Sequence, residues 1–598
     1  MELLDYYRDN LGYLRRLSSE FAAEFPKIAR RLLLSEVDCQ DPYIERLLEG
    51  TAFLAARVEK KLDEGYHPFL ESVLGSVAPD ALYPVPSGAV LEVFPDLSDE
   101  SIRGGGVVKA GTVFDAVIPT INTPCRFSCA ADTPVVPFAI AEAEYVGRDP
   151  ASLGIKNPDA ESALRLRFSS PPNFAAGARV FLALSEADAS LVLRLLTQDI
   201  AGVYVGDGAG NLDPAESIAF SIPLLDGGEL YGAGARTGAR GLRVLRNYLN
   251  YPDFFKFFSI RGDCGGVGDP KNGTELVLAF KRREQSLVAA IKASSVRVNC
   301  VPVLNLFSKR SDRVGVESDP AFNPYEFHMV PDRTAMRDYE VAAVKGIEFY
   351  NERNEPVAAA SNFYDGSFAP EKKTRVFFNA KRRRKFVERR STARSTYDGT
   401  EVFVSFSPMP EGAWQFAADL LVTNRDLPLL LPSGLSLFSS STLVPRAAFL
   451  TSPTRPGYSL AERGGDGDFA RLSHIVMNLS AMLCREGDRP LELLRDILRL
   501  YPLRPAEEME RMIAGIVSLS GRGDTFRFTR GGTVFYERGW RASLVCDENA
   551  YAGMGMYVFA RVVAQMLLSL APINTVLELE FATLQSGVIA VWKTPEDR

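Results

Sequence analysis

Asp41-Pro42-Tyr43-Ile44-Glu45-Arg46-Leu47-Leu48-Glu49-Gly50, continuing through Phe53, Leu54, Val58 and Leu62, is the stretch that decides how this chain is read. An aspartate followed by proline is a helix start: the side-chain oxygen caps free N–H groups, and proline occupies the one position where its missing N–H costs nothing. Ile44, Leu47, Leu48, Leu54, Val58 and Leu62 then fall on one stripe at three- and four-residue spacing. A helix continuous to Leu62 is roughly 33 Å long. An element of that length rarely buries its stripe alone. Upstream, Leu3, Tyr6, Tyr7, Leu11, Leu14, Leu17, Phe21 and Phe25 repeat the same period, with a break expected at Pro26. The two stretches together predict a helical hairpin or bundle, completed by a partner chain.

Outward from this region the period changes. Pro79, Pro84 and Pro86 close the helices, and from there to about residue 310 strands dominate. In Ser162–Ser170, Leu164, Leu166 and Phe168 alternate with Arg165 and Arg167, as a half-buried strand requires. Strands are also expected at Glu275–Phe280 and Val296–Phe307, and helices at Leu191–Leu196 and Leu242–Leu249. Residues 311–450 mix loops and strands, with Glu401–Ser407 leaving a turn at Tyr397-Asp398-Gly399-Thr400. After Thr451-Ser452-Pro453 come helices at Phe469–Leu483 and Pro490–Leu500, and strands near Thr525–Phe528 and Trp540–Cys546. A helix over Gly555–Leu570, apolar on one face, precedes a hairpin of Thr575–Leu584 and Gly587–Lys593. The expected architecture is α+β and multidomain: a helical region at 1–80, a β-rich mixed domain at 81–310, a mixed β domain at 311–450 and an α+β domain at 451–598.

Composition narrows the function classes. The 598 residues are 46% apolar and 24% charged, which is globular protein of about three or four domains. A formal charge of 68 − 75 = −7 is small for this length and argues against a chain devoted to nucleic acid. Acidic residues open the sequence where a secretory signal carries positive charge, and no apolar run approaches the roughly 20 residues that cross a bilayer, so the chain reads as soluble, without direct membrane insertion. Seven scattered cysteines suit reduced thiols, and three histidines weigh against metal sites and histidine chemistry. Cys125 and Cys129 are a weak metal pair, because a strand context is expected to send their side chains to opposite faces. No glycine cluster matches a nucleotide-binding spacing. No cofactor is expected.

The most polarised segment is Lys372–Arg394, where eleven basic residues, including Lys381, Arg382, Arg383, Arg384 and Lys385, face only Glu388. It reads as a basic hairpin, either solvated or a contact for a protein, in preference to nucleic acid, since aromatic interleaving is limited to Phe377, Phe378 and Phe386.

The ordered pattern Tyr6-Tyr7, Leu11, Tyr13-Leu14-Arg15, Glu20-Phe21-Ala22, Phe25-Pro26-Lys27-Ile28-Ala29 and residues 41–63 resembles the start of the TssF (VasA/ImpG) family of type VI secretion baseplate subunits. Later landmarks agree: Thr423-Asn424-Arg425-Asp426-Leu427-Pro428, Leu431-Pro432-Ser433-Gly434, Thr451-Ser452-Pro453-Thr454 and Leu472-Ser473-His474. Asn10 and Thr51 depart from it, where glutamate and an aromatic are commoner. The resemblance implies a structural role without catalysis, in a cytoplasmic wedge similar to that of contractile phage tails and docked at the inner-membrane secretion complex. It implies two copies joined to one TssG, with TssE and TssK, around the VgrG spike, nucleating the sheath. Tyr6, Tyr7, Leu11, Leu14, Leu17, Phe21, Ile44, Leu47, Leu48, Leu54 and Val58 are then the candidate interface, and Lys381–Lys385 a candidate basic contact. The competing expectation is a cytoplasmic hydrolase using carboxylates of the 204–268 loops, namely Asp207, Asp226 or Asp263.

Overall fold

The structure is a computed structural model describing residues 3–31, 42–77, 82–95, 102, 105–118, 121–207, 211–226, 240–262, 274–316, 326–363, 376–384, 397, 399–407, 409–432, 434–457, 473, 477, 479–483, 487–500, 506–530, 533–572 and 575–594. The chain divides into two units, Met1–Leu82 with Leu460–Ser473, and Tyr83–Ser459 with His474–Arg598.

In the first unit, helix α1 spans Leu3–Glu24, α2 Pro26–Arg31 and α3 Pro42–Val77. Pro26 ends α1 as expected, because the residue before a proline is pushed out of helical geometry. Helix α3 runs fifteen residues beyond Leu62. The helices α1 and α3 lie antiparallel: Asn10 Nδ2 donates to Glu59 Oε2 at 2.7 Å, and Arg15 pairs with Glu45. Small residues fill the seam between them, with Ala22, Ala52 and Ala56 buried beside Tyr6.

The second unit contains a closed antiparallel barrel in the order Gly88–Phe94, Cys300–Leu304, Cys125–Cys129, Val113–Ala116, Ser436–Ser439 and Arg446–Phe449, which returns to the first strand. Leu91, Phe114, Phe127, Val303 and Leu437 fill its interior. Cys125 and Cys129 both point into this core, contrary to the expectation of opposite faces: side chains alternate along a strand, so residues four apart share a face. Burial pushes the Cys129 thiol up to about 11 and the Cys125 thiol higher still, which keeps both protonated.

Two antiparallel sheets precede the barrel's later strands. One runs Leu212–Pro214, Ile200–Gly206, Thr274–Phe280, Ser162–Phe168, Ile140–Val146, and the other Ala219–Ser221, Phe257–Arg261, Ala178–Leu182, Val296–Arg297. The expected single strand Val296–Phe307 is broken at Asn299, whose φ of 56° turns the chain from this second sheet into the barrel. Asn299 clamps Val136 through both main-chain atoms, at 2.8 and 2.9 Å.

A further sheet is ordered Phe307–Arg310, Gln415–Thr423, Glu340–Tyr350, Pro356–Asn362, Val376–Arg384, Thr400–Ser407, Phe327–His328. Asn305 and Asn424 fasten it to the barrel: Asn424 N donates to Asn305 Oδ1 at 2.7 Å, and Arg126 N donates to Asn424 Oδ1 at 2.9 Å.

The C-terminal sheet pairs Ile516–Arg530, Thr533–Cys546, Val576–Thr583 and Gly587–Lys593. Thr533–Cys546 and Val576–Thr583 are parallel and therefore need a crossover, which is the helix Met556–Ser569. Expected to be apolar on one face, that helix is instead buried almost all round, because the helices Glu186–Gln198 and Arg240–Asn250 also pack on it. Gly241 makes one of these approaches possible: a Cβ there would meet Ser569 Oγ at 2.1 Å and Met566 Cα at 2.5 Å. Much of the expected helix Phe469–Leu483 lies outside the described residues; its end forms Leu479–Leu483.

Candidate partner-binding surfaces

The apolar pattern of α1 and α3 divides between two uses. Tyr6 is spent on the hairpin's own core, while Tyr7, Leu11, Leu14, Ile44 and Leu48 are half-buried beside it. Leu47, Leu54 and Val58 stand 70%, 61% and 60% exposed, and Leu17 and Phe21 are also on the outside. Tyr43, Leu62 and Phe69 extend the exposed line along α3. The candidate list omitted these three, although Tyr43, Leu47, Leu54, Val58 and Leu62 follow each other at intervals of four and seven. Between Tyr43 and Phe69, about 39 Å at helical rise, the described residues of α3 therefore present an apolar edge to solvent. Isolated exposed leucines are ordinary, but a continuous file of them marks a surface built to be covered.

Asn10 and Thr51 have local tasks. Asn10 Nδ2 also donates to Tyr6 O at 2.9 Å, and Thr51 Oγ1 donates to Leu47 O at 2.8 Å. Both bonds serve the helices themselves.

The basic segment is not one free patch. Val376–Arg384 is a strand paired with Thr400–Ser407, and three of its cations are already engaged. Lys381 and Arg383 converge on Glu326, with Lys381 Nζ at 3.3 Å, and Arg383 also lies over the Phe403 ring at 4.7 Å. Arg382 turns inward and donates to Val341 O, Ala342 O and Thr400 Oγ1 at 2.8, 2.6 and 2.7 Å. Arg384 continues the strand opposite Thr400, and Lys385 lies outside the described residues.

The carboxylates of the competing expectation also have structural partners. Asp226 accepts from Ile222 N and from Arg561, both at 2.6 Å. Asp207 accepts from Asn211 Nδ2 at 2.9 Å, which closes its loop, and Asp263 lies outside the described residues. His328 stacks on Phe403 with centroids 4.9 Å apart. Among the described residues, no three histidine, cysteine or carboxylate side chains gather where they could hold a metal ion, and no helix is long and apolar enough to cross a membrane.

Comparisons with known proteins agree with one another. The TssF component of P. aeruginosa, described as "Type VI secretion system component TssF1" of Pseudomonas aeruginosa, is 30% identical over 628 aligned residues, covering 99% of this chain and 98% of that protein. A chain in the cryo-electron microscopy structure of a type VI secretion system TssK–TssF–TssG baseplate subcomplex shares the fold with a TM-score of 0.68 at 20% identity, over 92% of this chain and 99% of that one. The family described as "Type VI secretion system, TssF" matches residues 1–596, and the chain belongs to that family.

Proposed function

We propose that this chain is a structural subunit of a type VI secretion baseplate, with no catalytic role. Two copies join one TssG, and TssE and TssK complete a cytoplasmic wedge that surrounds the VgrG spike, nucleates the sheath and docks at the inner-membrane secretion complex. The observation that carries this reading is the exposed apolar file of α3. A long amphipathic helix whose outer face stays unburied in its own chain needs a second chain, and the shared fold with a chain of the TssK–TssF–TssG subcomplex names the setting in which one is supplied. The apolar file packs against TssG or the second copy, over an interface of at least standard size, roughly 1,200 Å² or more.

The test is Leu47→Asp in a strain secreting through this system, with co-purification of TssG as the readout. At 70% exposure the substitution spares the chain's own fold, so total protein is expected to accumulate at wild-type level. Recovery of TssG should fall sharply, because a charge would be buried without a partner. Wild-type recovery and secretion would exclude the α3 face as the assembly surface.

A further inference from the structure

The C-terminal hairpin of Ile516–Arg530 and Thr533–Cys546 outruns its own sheet. Val576–Thr583 pairs with the second strand only from Gly539 to Cys546, so Thr533–Arg538, about 20 Å at strand rise, continue past it with the first strand alone beside them. Among the described residues, no strand pairs with that outer edge. An open edge is a template for a further strand, and folds guard such edges with charge. The first strand's edge is guarded by Arg522, Asp524 and Arg527. The second presents Val534, Phe535 and Tyr536 in succession, 40%, 49% and 70% exposed.

Alternation of side chains gives the two faces of the hairpin different chemistry. At the base of one face, Leu519, Ala542 and Leu544 are buried, and the helix Leu479–Leu483 closes so tightly that a Cβ on Gly521 would meet Leu483 Cβ at 3.1 Å. Farther out the same face carries Thr525, Arg527, Thr529, Val534, Tyr536 and Arg538, all exposed. It holds two cations and no acid. Arg527 stands directly opposite Tyr536, and neither Arg527 nor Arg538 has an ion-pair partner among the described residues. On the other face Arg541 engages Asp524 at 3.1 Å and lies over the Phe526 ring at 5.7 Å, Arg522 stands opposite Arg541, and Phe528 pairs with the half-exposed Phe535 beside the exposed Glu537.

An occupant of this edge meets two demands. On the first face it must bring acids to Arg538 and, diagonally, to Arg527; on the second it must bring apolar side chains to Phe535. The alternation of a single strand satisfies both. A phosphate backbone would suit the arginines, but it would leave Phe535 in water and set like charge against Glu537.

We infer that the edge Val534–Arg538 receives an extended segment of a partner chain, alternating acidic and apolar residues, as an added strand. The inference rests on the assembly reading, and its test separates the two. A photo-reactive phenylalanine is placed at Phe535, and in a second preparation at Leu54 on α3, in the complex co-purified with TssG and TssK. The Phe535 probe should cross-link to an extended segment of another chain in which acids alternate with apolar residues, and the Leu54 probe to TssG or the second copy. Arg527→Glu combined with Arg538→Glu should lower the Phe535 cross-link roughly 10-fold while the Leu54 cross-link stays unchanged, which shows that the variant folds and assembles. Arg538→Gln, which removes one charge without reversing it, should lower it about 2- to 5-fold. A Leu54 cross-link combined with no Phe535 cross-link, with one to a basic or helical segment, with one to lipid or nucleic acid alone, or with one that both variants leave at wild-type yield, overturns the inference and leaves the assembly reading standing. Absence of any complex with TssG overturns both.

Discussion

Glu340 shows how much one carboxylate organises here. It is 2% exposed and accepts from the Tyr397 hydroxyl, from Thr400 N at 2.7 Å and from Thr400 Oγ1 at 2.6 Å, while Arg382 is tied to the adjoining carbonyls of Val341 and Ala342. Burial, reinforced by the neighbouring Glu340 charge, holds the Tyr397 hydroxyl well above its usual range. Glu340→Ala removes the acceptor that serves the Tyr397 hydroxyl, Thr400 N and Thr400 Oγ1 beside the half-buried Arg382, and should cost on the order of 3 kcal/mol in urea denaturation. Lys381→Ala, at the exposed end of the same strand, should cost under about 1 kcal/mol. Equal effects would contradict the distinction between an inward network around Glu340 and Arg382 and a solvent-facing Lys381. Sequence spacing could not have separated them: the acid that engages Lys381 and Arg383 is Glu326, 55 and 57 positions away. Glu578 contributes to the acid side of the pH profile, together with Asp132, Asp332, Glu348 and Asp547, whose carboxyls are also held low by hydrogen bonds. Hydrogen bonds from Lys593, at 2.6 Å, and Arg541, at 2.8 Å, hold its carboxyl below the usual glutamate range. A depressed carboxylate stabilises the fold above its unfolded-state value, and that contribution is lost as pH falls through the folded-state value. Melting temperature should therefore drop below about pH 4.3, the unfolded glutamate value, and Glu578→Gln should flatten that drop. An unchanged acid limb in the variant would contradict the assignment.

At the scale of elements, the sharpest constraint is the contact of Arg240–Asn250 with Met556–Ser569. Gly241→Ala places a methyl against Met566 Cα and the Gln565 carbonyl, atoms that cannot swing aside as a side-chain tip does. The helices must part, at a cost of about 1–3 kcal/mol, read as a lowered melting temperature; an unshifted melt would mean that the helices are not this close. In the first unit, Ala56→Leu and Leu54→Asp should give opposite phenotypes. Ala56 is fully buried in the hairpin seam, so the larger side chain should lower the helical melt, whereas Leu54, 61% exposed, should leave the melt unchanged and reduce TssG recovery. These helices were legible because a 3.6-residue period survives without knowledge of tertiary contacts. What the period could not say is which apolar residues turn inward: Ala22, Ala52 and Ala56 join Tyr6, Leu70 and Leu74 inside, while Leu47, Leu54, Val58 and Leu62 remain outside. Ser162–Phe168 was legible for the same reason, and Arg165 and Arg167 do face Glu144 and Glu142 across the strand pair. Barrel closure was not legible, since Leu91 pairs with Phe449 across more than 350 positions of chain. The strands near Thr525–Phe528 and Trp540–Cys546 were read too short, because the hairpin that contains them runs from Ile516 to Cys546 and its outer half alternates less cleanly.

For the whole molecule, the consequence of the exposed α3 file is a surface that must be covered. With the α3 file uncovered, the chain expressed alone should aggregate or remain poorly soluble, and co-expression with TssG should restore soluble yield severalfold. Monodisperse behaviour alone, combined with failure to bind TssG, would count against the assembly account. The candidate surfaces differ in how far the sequence could announce them. The helical file is local and periodic, whereas the basic strand meets its partner Glu326 across 55 positions from Lys381 and 57 from Arg383. The most direct measurement is the mass of the complex purified after co-expression with TssG, taken under native conditions. The account predicts two copies of this chain for each TssG; a one-to-one complex, or none, would contradict it.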